Sequence, residues 1–335
     1  MQRSTIVRII VFALFIVILL SIIKHISEKP EGSTDNDGPD EIIIQAIKPP
    51  TKDIDITMYN HRTGELDDMS LEDYIIGVIA GEMPVSYEME ALKAQAVAAR
   101  TLTVSQMRSL GGRGCSQHQG ADVCSSYAHC QEWISNNTMV TNWGDNFDGN
   151  LDKVKQAVYS TRGEILKYQG EAIEVFYYST SNGKTEDAGE VFSNSLPYYQ
   201  VVDSRGEENA PRFYGSVTYT NEEFVNIFAR NYKANLSASK LQDQIKIKSY
   251  TDSGRVQTIS VGGVTMRSTE FRIIYGLNST DFELSFGKTS VTINTKGFGH
   301  GVGMSQVGAN MMAKEGSTYD EILKHYYRGI SIDTY

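Results

Sequence analysis

The strongest constraint on the fold lies between Ser70 and Met107, where two helix-forming stretches are separated by the break "GEMPVSYE". In the first, Leu71, Tyr74, Ile75, Val78 and Ile79 recur at helical spacing and make one apolar face to bury. Ser70 offers an N-cap oxygen, with Asp73 three residues on as in a capping box. Gly81 and Pro84 are expected to end this helix. Ser86 can cap the second, "EMEALKAQAVAARTLTVSQM", which is rich in strong helix formers. Its Ala91, Ala94 and Ala98 give a small-residue surface suited to close packing.

Glu82 stands at that break, after Ile75, Ile76, Val78, Ile79, Ala80 and Gly81. Carbonyl groups at the end of the first helix disfavour a carboxylate there, and apolar neighbours disfavour it further. Both effects raise its pKa, as a general acid requires. A solvated glutamate at a helix terminus has the same local sequence.

The N-terminus carries Arg3 and Arg8, then an apolar run from Ile9 to Ile23, broken only by Ser21 and closed by Lys24 and His25. Fifteen residues fall slightly short of a span. Snorkelling by Arg8 and Lys24 extends them to the usual minimum of ~17. No small-residue cleavage site follows, so the run reads as an uncleaved anchor rather than a signal peptide. The positive-inside rule places residues 1–8 in the cytoplasm, the span over 9–24 in the cell membrane and the body outside. Residues 25–52, including "EKPEGSTDNDGPDE", are acidic and turn-rich and are expected to form a flexible linker. The body then runs over 53–335. The net charge of −10 argues against a nucleic-acid binder, which needs a basic face.

Within the body, Ile54, Ile56 and Met58 alternate as a strand before a Thr63-Gly64 turn. "LDKVKQAVYSTRG" is helical and closed by Gly163, and "EILKYQGEAIEVFYY" reads as two strands around Gln169-Gly170. A helix is expected near 221–232, strands near 244–250, 255–261 and 289–295, and a closing helical region after "GFGHGVGMSQ". Helices and antiparallel strands fall in runs rather than alternating, which makes the class α+β.

Three further constellations carry chemistry. The loop over 109–130 holds His118, Cys124, His129 and Cys130, donors that suit a structural tetrahedral zinc, with Cys115 left spare. A Cys124–Cys130 disulfide is the alternative. No H-E-x-x-H motif accompanies them, which argues against a catalytic metal. "GFGHGVGMSQ" sets Gly297, Gly299, Gly301 and Gly303 around His300, a turn that lets backbone approach a ligand closely but lacks the order of a phosphate loop. "FYYSTSNGKTE" offers Tyr177, Tyr178, Ser181 and Lys184, a set suited to a sugar surface or to a polar hairpin.

Taken in order, "VIAGEMPVSYEMEALKAQAVAARTLT", "STSNGKTEDAGEVF", "MRSTEFRIIYGLNSTDFEL" and "GHGVGMSQVGANMMAKEGSTYDEILKHYYRG" resemble the stage II sporulation protein D family, membrane-anchored lytic transglycosylases of endospore formers. A related branch comprises amidase enhancers. The resemblance implies a glycan-binding cleft with Glu82 as catalytic acid/base, supported by Lys93 and Arg100. Tyr178, Ser181 and Lys184 match its substrate loop, and His300, Ser305 and Gln306 its glycine-rich loop. The His/Cys cluster departs from many members, so it is expected to be a local staple.

The implied reaction cleaves the bond between N-acetylmuramic acid and N-acetylglucosamine in peptidoglycan strands stripped of stem peptides. Glu82 protonates the leaving oxygen, and the muramic C6 hydroxyl closes a 1,6-anhydro ring, with no second carboxylate to activate water. The implied partners are the sporulation amidase P and the membrane protein M, acting in engulfment. The oligomeric state, a homodimer included, stays open. A non-enzymatic glycan-binding activator of an amidase and a zinc hydrolase are the competing readings.

Overall fold

Ile56 and Met58 are buried along β1 (Asp55–Asn60), which pairs antiparallel with β2 (Glu65–Ser70) across the expected turn. The computed structural model describes residues 54–192 and 194–335; the expected anchor over 9–24 and linker over 25–52 lie outside the described residues. Among the described residues no helix is long and apolar enough to cross a membrane.

α1 (Leu71–Glu82) begins as its sequence dictates, with the Ser70 hydroxyl accepting from Asp73 N–H at 3.1 Å. It runs one residue past Gly81, so Glu82 is its last residue and Met83 its C-cap. α2 (Met89–Gln106) starts at an N-cap of Glu88 without a side-chain capping bond, so the expected Ser86 cap is not used. Ala91, Ala94, Ala96, Ala98 and Ala99 are fully buried on α2, and their small size lets α1, α3 (Phe147–Ser160) and later helices pack around it. The loop after α2 is less irregular than its composition predicts: β3 (Val123–Cys124) adds to β1 in parallel. β4 (Glu164–Tyr168) and β5 (Glu171–Ala172) form the hairpin expected at Gln169-Gly170.

A second core lies between residues 213 and 296. There β7 (Tyr214–Thr220) pairs with β12 (Ser290–Lys296), which pairs with β11 (Phe282–Phe286). A separate antiparallel sheet joins β8 (Ile245–Tyr250), β9 (Val256–Val261) and β10 (Val264–Arg267). Phe224, Phe228, Phe271, Tyr275 and Phe282 fill the space between these layers. The chain then returns to the first core. β13 (Met304–Ser305) pairs in parallel with β6 (Tyr177–Tyr178), and α4 (Gln306–Lys314), α5 (Tyr319–Tyr326) and β14 (Ser331–Thr334) complete it. The class is α+β, with mostly antiparallel sheets.

Candidate active site

α1 delivers Glu82 to the wall of a cavity of about 870 Å³. Its carboxylate is held from two directions: the Glu132 backbone N–H donates to Oε1 at 2.8 Å, and the Gln306 amide donates to Oε2 at 3.4 Å. Burial raises its pKa from 4.5 to about 7, against the pull of those two bonds and with a further push from the Glu132 charge. The group is therefore poised to hold or release a proton near neutrality.

The reach of Glu132 to Glu82 depends on glycine. Gly77 and Gly81 lie one turn apart on one face of α1. A Cβ on Gly77 would stand 2.1 Å from Trp133 Nε1, and one on Gly81 would stand 3.0 Å from the Glu132 carbonyl. With both absent, residues 132–134 lie directly across the helix, and Ile134 N–H bonds the Gly77 carbonyl at 3.2 Å. Gly81 thus serves close approach rather than helix termination. The neighbouring Gln131 is buried, accepts from Tyr177 Oη at 2.7 Å and donates to Thr103 Oγ1 at 3.1 Å, which fixes the strap that carries Glu132.

The opposite wall comes from the glycine-rich turn. Gly303 has φ +77°, and a Cβ there would stand 2.0 Å from the Phe176 carbonyl, so the turn folds against β6 as no other residue would allow. His300 faces the cavity among Phe176, Tyr178 and Phe192. Val302 N–H donates to its Nδ1 at 3.1 Å, and burial with two nearby arginine charges, Arg272 first, lowers its pKa to about 4. It is a neutral wall group at pH 7. Tyr178 lines the same wall, its phenol pKa raised by burial.

Of the expected substrate residues, Tyr178, His300 and Gln306 line the cavity with Glu82. Lys93 and Arg100 do not. They sit seven residues apart on α2 and so share a face, whereas the cavity receives Leu102, Ser105 and Gln106 from the far side of that helix. Arg100 is fully buried, forks onto Glu72 at 2.7 and 3.0 Å, and donates to the carbonyls of Val158 and Glu164. Lys93 bonds Glu90 at 2.7 Å and lies over Tyr319. In this structure both make packing contacts and neither lines the cavity.

Ser181 and Ser305 are also buried behind the wall. Ser181 N–H and Ser305 Oγ each donate to Glu207 Oε2 at 2.7 Å, and Ser204 donates to Oε1. Ser305 at the same time caps α4, so Glu207 fixes the corner from which Gln306 reaches Glu82. Lys184 is exposed and outside the cavity lining; it serves through its carbonyl, which accepts from Ser181 Oγ at 2.8 Å.

The His/Cys loop differs from expectation in one member. Cys115, Cys124, His129 and Cys130 bring their donor atoms within 4.8 Å of one another. Sγ to His129 Nδ1 distances are 3.5, 3.5 and 3.3 Å, close to the edge of about 3.5 Å that tetrahedral Zn–S and Zn–N bonds require. All three cysteines are free. Cys115 is thus the fourth member in place of His118, which instead stacks on Tyr59 with ring centroids 3.6 Å apart. Hydrogen bonds from the Cys130 thiol, the Ser126 N–H and His129 hold the Cys124 thiol well below the usual thiol range. Three sulfurs and one imidazole nitrogen fit a closed metal shell, which leaves no position for a reacting water.

Gln131, Glu132, Glu207 and Arg212 escaped the sequence reading. None lies in a periodic segment or a motif, and each is placed by contacts across the fold.

The stage II sporulation protein family model matches residues 59–168, which include Glu82 and the whole Cys/His cluster. The chain is 37% identical to stage II sporulation protein D of Bacillus subtilis, over 83% of this chain and 79% of that protein. It is 36% identical to the protein of that name in Bacillus amyloliquefaciens, over 83% and 78% respectively. The amidase enhancer of B. subtilis is 28% identical over 77% of this chain and 40% of its own length. The chain belongs to the stage II sporulation protein D family, a family of sporulation proteins.

Proposed function

We propose that this protein is a lytic transglycosylase that cuts the glycan strands of peptidoglycan during sporulation. The observation that carries the reading is Glu82: one carboxylate with a pKa of about 7, set in the wall of a cleft large enough for sugar rings. Protonated, Glu82 gives its proton to the glycosidic oxygen between N-acetylmuramic acid and N-acetylglucosamine. Ionised by that transfer, it takes the proton of the muramic C6 hydroxyl, which attacks C1 and closes the 1,6-anhydro ring. The Glu132 N–H and the Gln306 amide hold the carboxylate in place through both transfers.

A hydrolase would need a second carboxylate to activate water. Of the other two carboxylates in the cleft lining, Glu132 is paired to Arg62 at 2.9 Å and Glu174 is solvent-exposed; the intramolecular route needs neither. In this reading the protein is a single-pass membrane protein with its body outside the cytoplasm, and it works beside the amidase P and the membrane protein M. Zinc would occupy Cys115, Cys124, His129 and Cys130 as a structural ion, supplying cross-linking of the loop that carries Glu132.

Mass spectrometry of denuded glycan treated with the protein tests the reading. Wild type is expected to release anhydromuramic ends, and Glu82→Gln to release none while still binding glycan. Full activity in Glu82→Gln overturns it. Similarity to the amidase enhancer favours a second reading, a glycan binder that accelerates an amidase. That reading requires no cleavage product from the protein alone and a faster amidase in its presence.

A further inference from the structure

The cavity wall is acidic. Glu82, Glu132 and Glu174 line it, and Arg212 is the sole lysine or arginine among the lining residues. Glu132 has its own cation in Arg62. Arg212 has no carboxylate partner among the described residues; its guanidinium lies 4.7 Å from the centroid of the Phe298 ring. Stacked in this way, the planar group keeps its N–H edges free for a fork-shaped ligand.

The position is built, although the side chain is exposed. The next residue, Phe213, is buried, and its carbonyl accepts from Gly297 N–H at 2.7 Å. Phe298 N–H in turn bonds the Thr180 carbonyl at 2.8 Å. Arg212 is therefore fastened to the glycine-rich turn that forms the wall opposite α1. His300, on that turn, is neutral at pH 7 and adds no charge.

We propose that Arg212 selects the glycan by binding the free lactyl carboxylate of a muramic residue that has lost its stem peptide. This rests on the glycan-cleaving reading above and assigns its preference for stripped strands to one residue. Hydrolysis of the lactyl–peptide amide consumes a water, releases the peptide amine and leaves one carboxylate on each muramic residue. With Glu82 protonated and Glu132 paired to Arg62, Glu174 still repels that new charge unless a cation meets it. Arg212 is the group placed to meet it, and a charge-assisted, two-pronged contact converts the penalty into a preference.

The experiment measures binding rather than turnover. Full-length protein carrying Glu82→Gln is titrated into two labelled glycans: denuded chains, and the same chains with their lactyl carboxylates converted to methylamides. The denuded chain is expected to bind about tenfold tighter, a preference that shrinks as sodium chloride is raised. Adding Arg212→Gln is expected to bring the denuded chain down to the methylamide level without weakening the methylamide chain. Arg212→Lys should keep part of the preference. An unchanged ratio in Arg212→Gln, or equal binding of the two chains by the Arg212 protein, overturns the role of Arg212 and leaves the glycan reading standing. Binding of neither chain overturns both.

Discussion

Gln306 and Glu82 are 224 residues apart in the chain, yet the amide nitrogen of one lies 3.4 Å from the carboxylate of the other. That contact joins the end of α1 to the start of α4 and closes the cleft behind Glu82. It also means that the acid's protonation is governed by groups from both ends of the protein, with testable consequences.

Glu82 and Glu207 both have pKa values raised by burial from 4.5 to about 7. A raised carboxylate pKa means that the folded state holds its proton more tightly than the unfolded chain. The resulting stability is fully present below pH 4.5 and is lost as pH rises through about 7. Replacing Glu82 by Gln should therefore stabilise the protein relative to wild type at pH 8, by roughly 3 kcal/mol, and by much less at pH 5. Urea unfolding at the two pH values checks this; a gap independent of pH would count against it. Glycan cleavage should fall along the same limb as pH passes 7.

Gly77→Ala places a methyl group where the Trp133 indole lies, 2.1 Å from Nε1. The strap must lift from α1, costing about 1–3 kcal/mol of stability and drawing the Glu132 N–H away from Glu82. Activity should fall further than stability alone explains. Gly149→Ala is the control: it points into open space on α3 and should stabilise by about 0.5–1 kcal/mol.

Arg100→Met should cost about 3–5 kcal/mol, because it leaves the Glu72 carboxylate buried without its cation. The carbonyls of Val158 and Glu164 lose their partner as well. The folded fraction should bind glycan as wild type does. Denaturant unfolding together with a binding isotherm separates this outcome from a direct role in substrate contact, in which binding would be lost while the protein remained folded.

Cys115→Ser should lower bound zinc, measured by elemental analysis of the purified protein, and lower the melting temperature. His118→Ala should leave the metal content unchanged and cost only its stacking on Tyr59, about 1 kcal/mol. Chelation should destabilise wild type, since metal binding energy is folding energy in a closed shell. The reverse ranking of the two variants would restore His118 as the ligand.

Much of the fold was legible because the forces that set it are local. The Ser70 cap acts over three residues, the Gln169-Gly170 turn over two, and the apolar face of α1 repeats every turn. Glu82 was legible for the same reason: it adjoins both the end of its helix and the apolar residues that desolvate it. Lys93 and Arg100 show where that reasoning stops. Their spacing places them on one face of α2, but only the packing of α1, α3 and β4 against that face decides that it points inward.

By itself, then, the sequence determined that two buried helices meet at a glutamate, that strands surround them in an α+β arrangement, and that a cysteine-rich loop can gather a metal. Only the tertiary structure decided what the glutamate faces. Glu132 reaches it because two glycines let a strap lie on α1, and Gln306 because Glu207 fixes the corner of α4. Cys115 replaces His118 because the loop folds back beside β1, where Tyr59 holds the histidine ring aside. Each of these contacts links residues far apart in the chain. Their geometry depends on close packing between elements, which no short stretch of sequence contains.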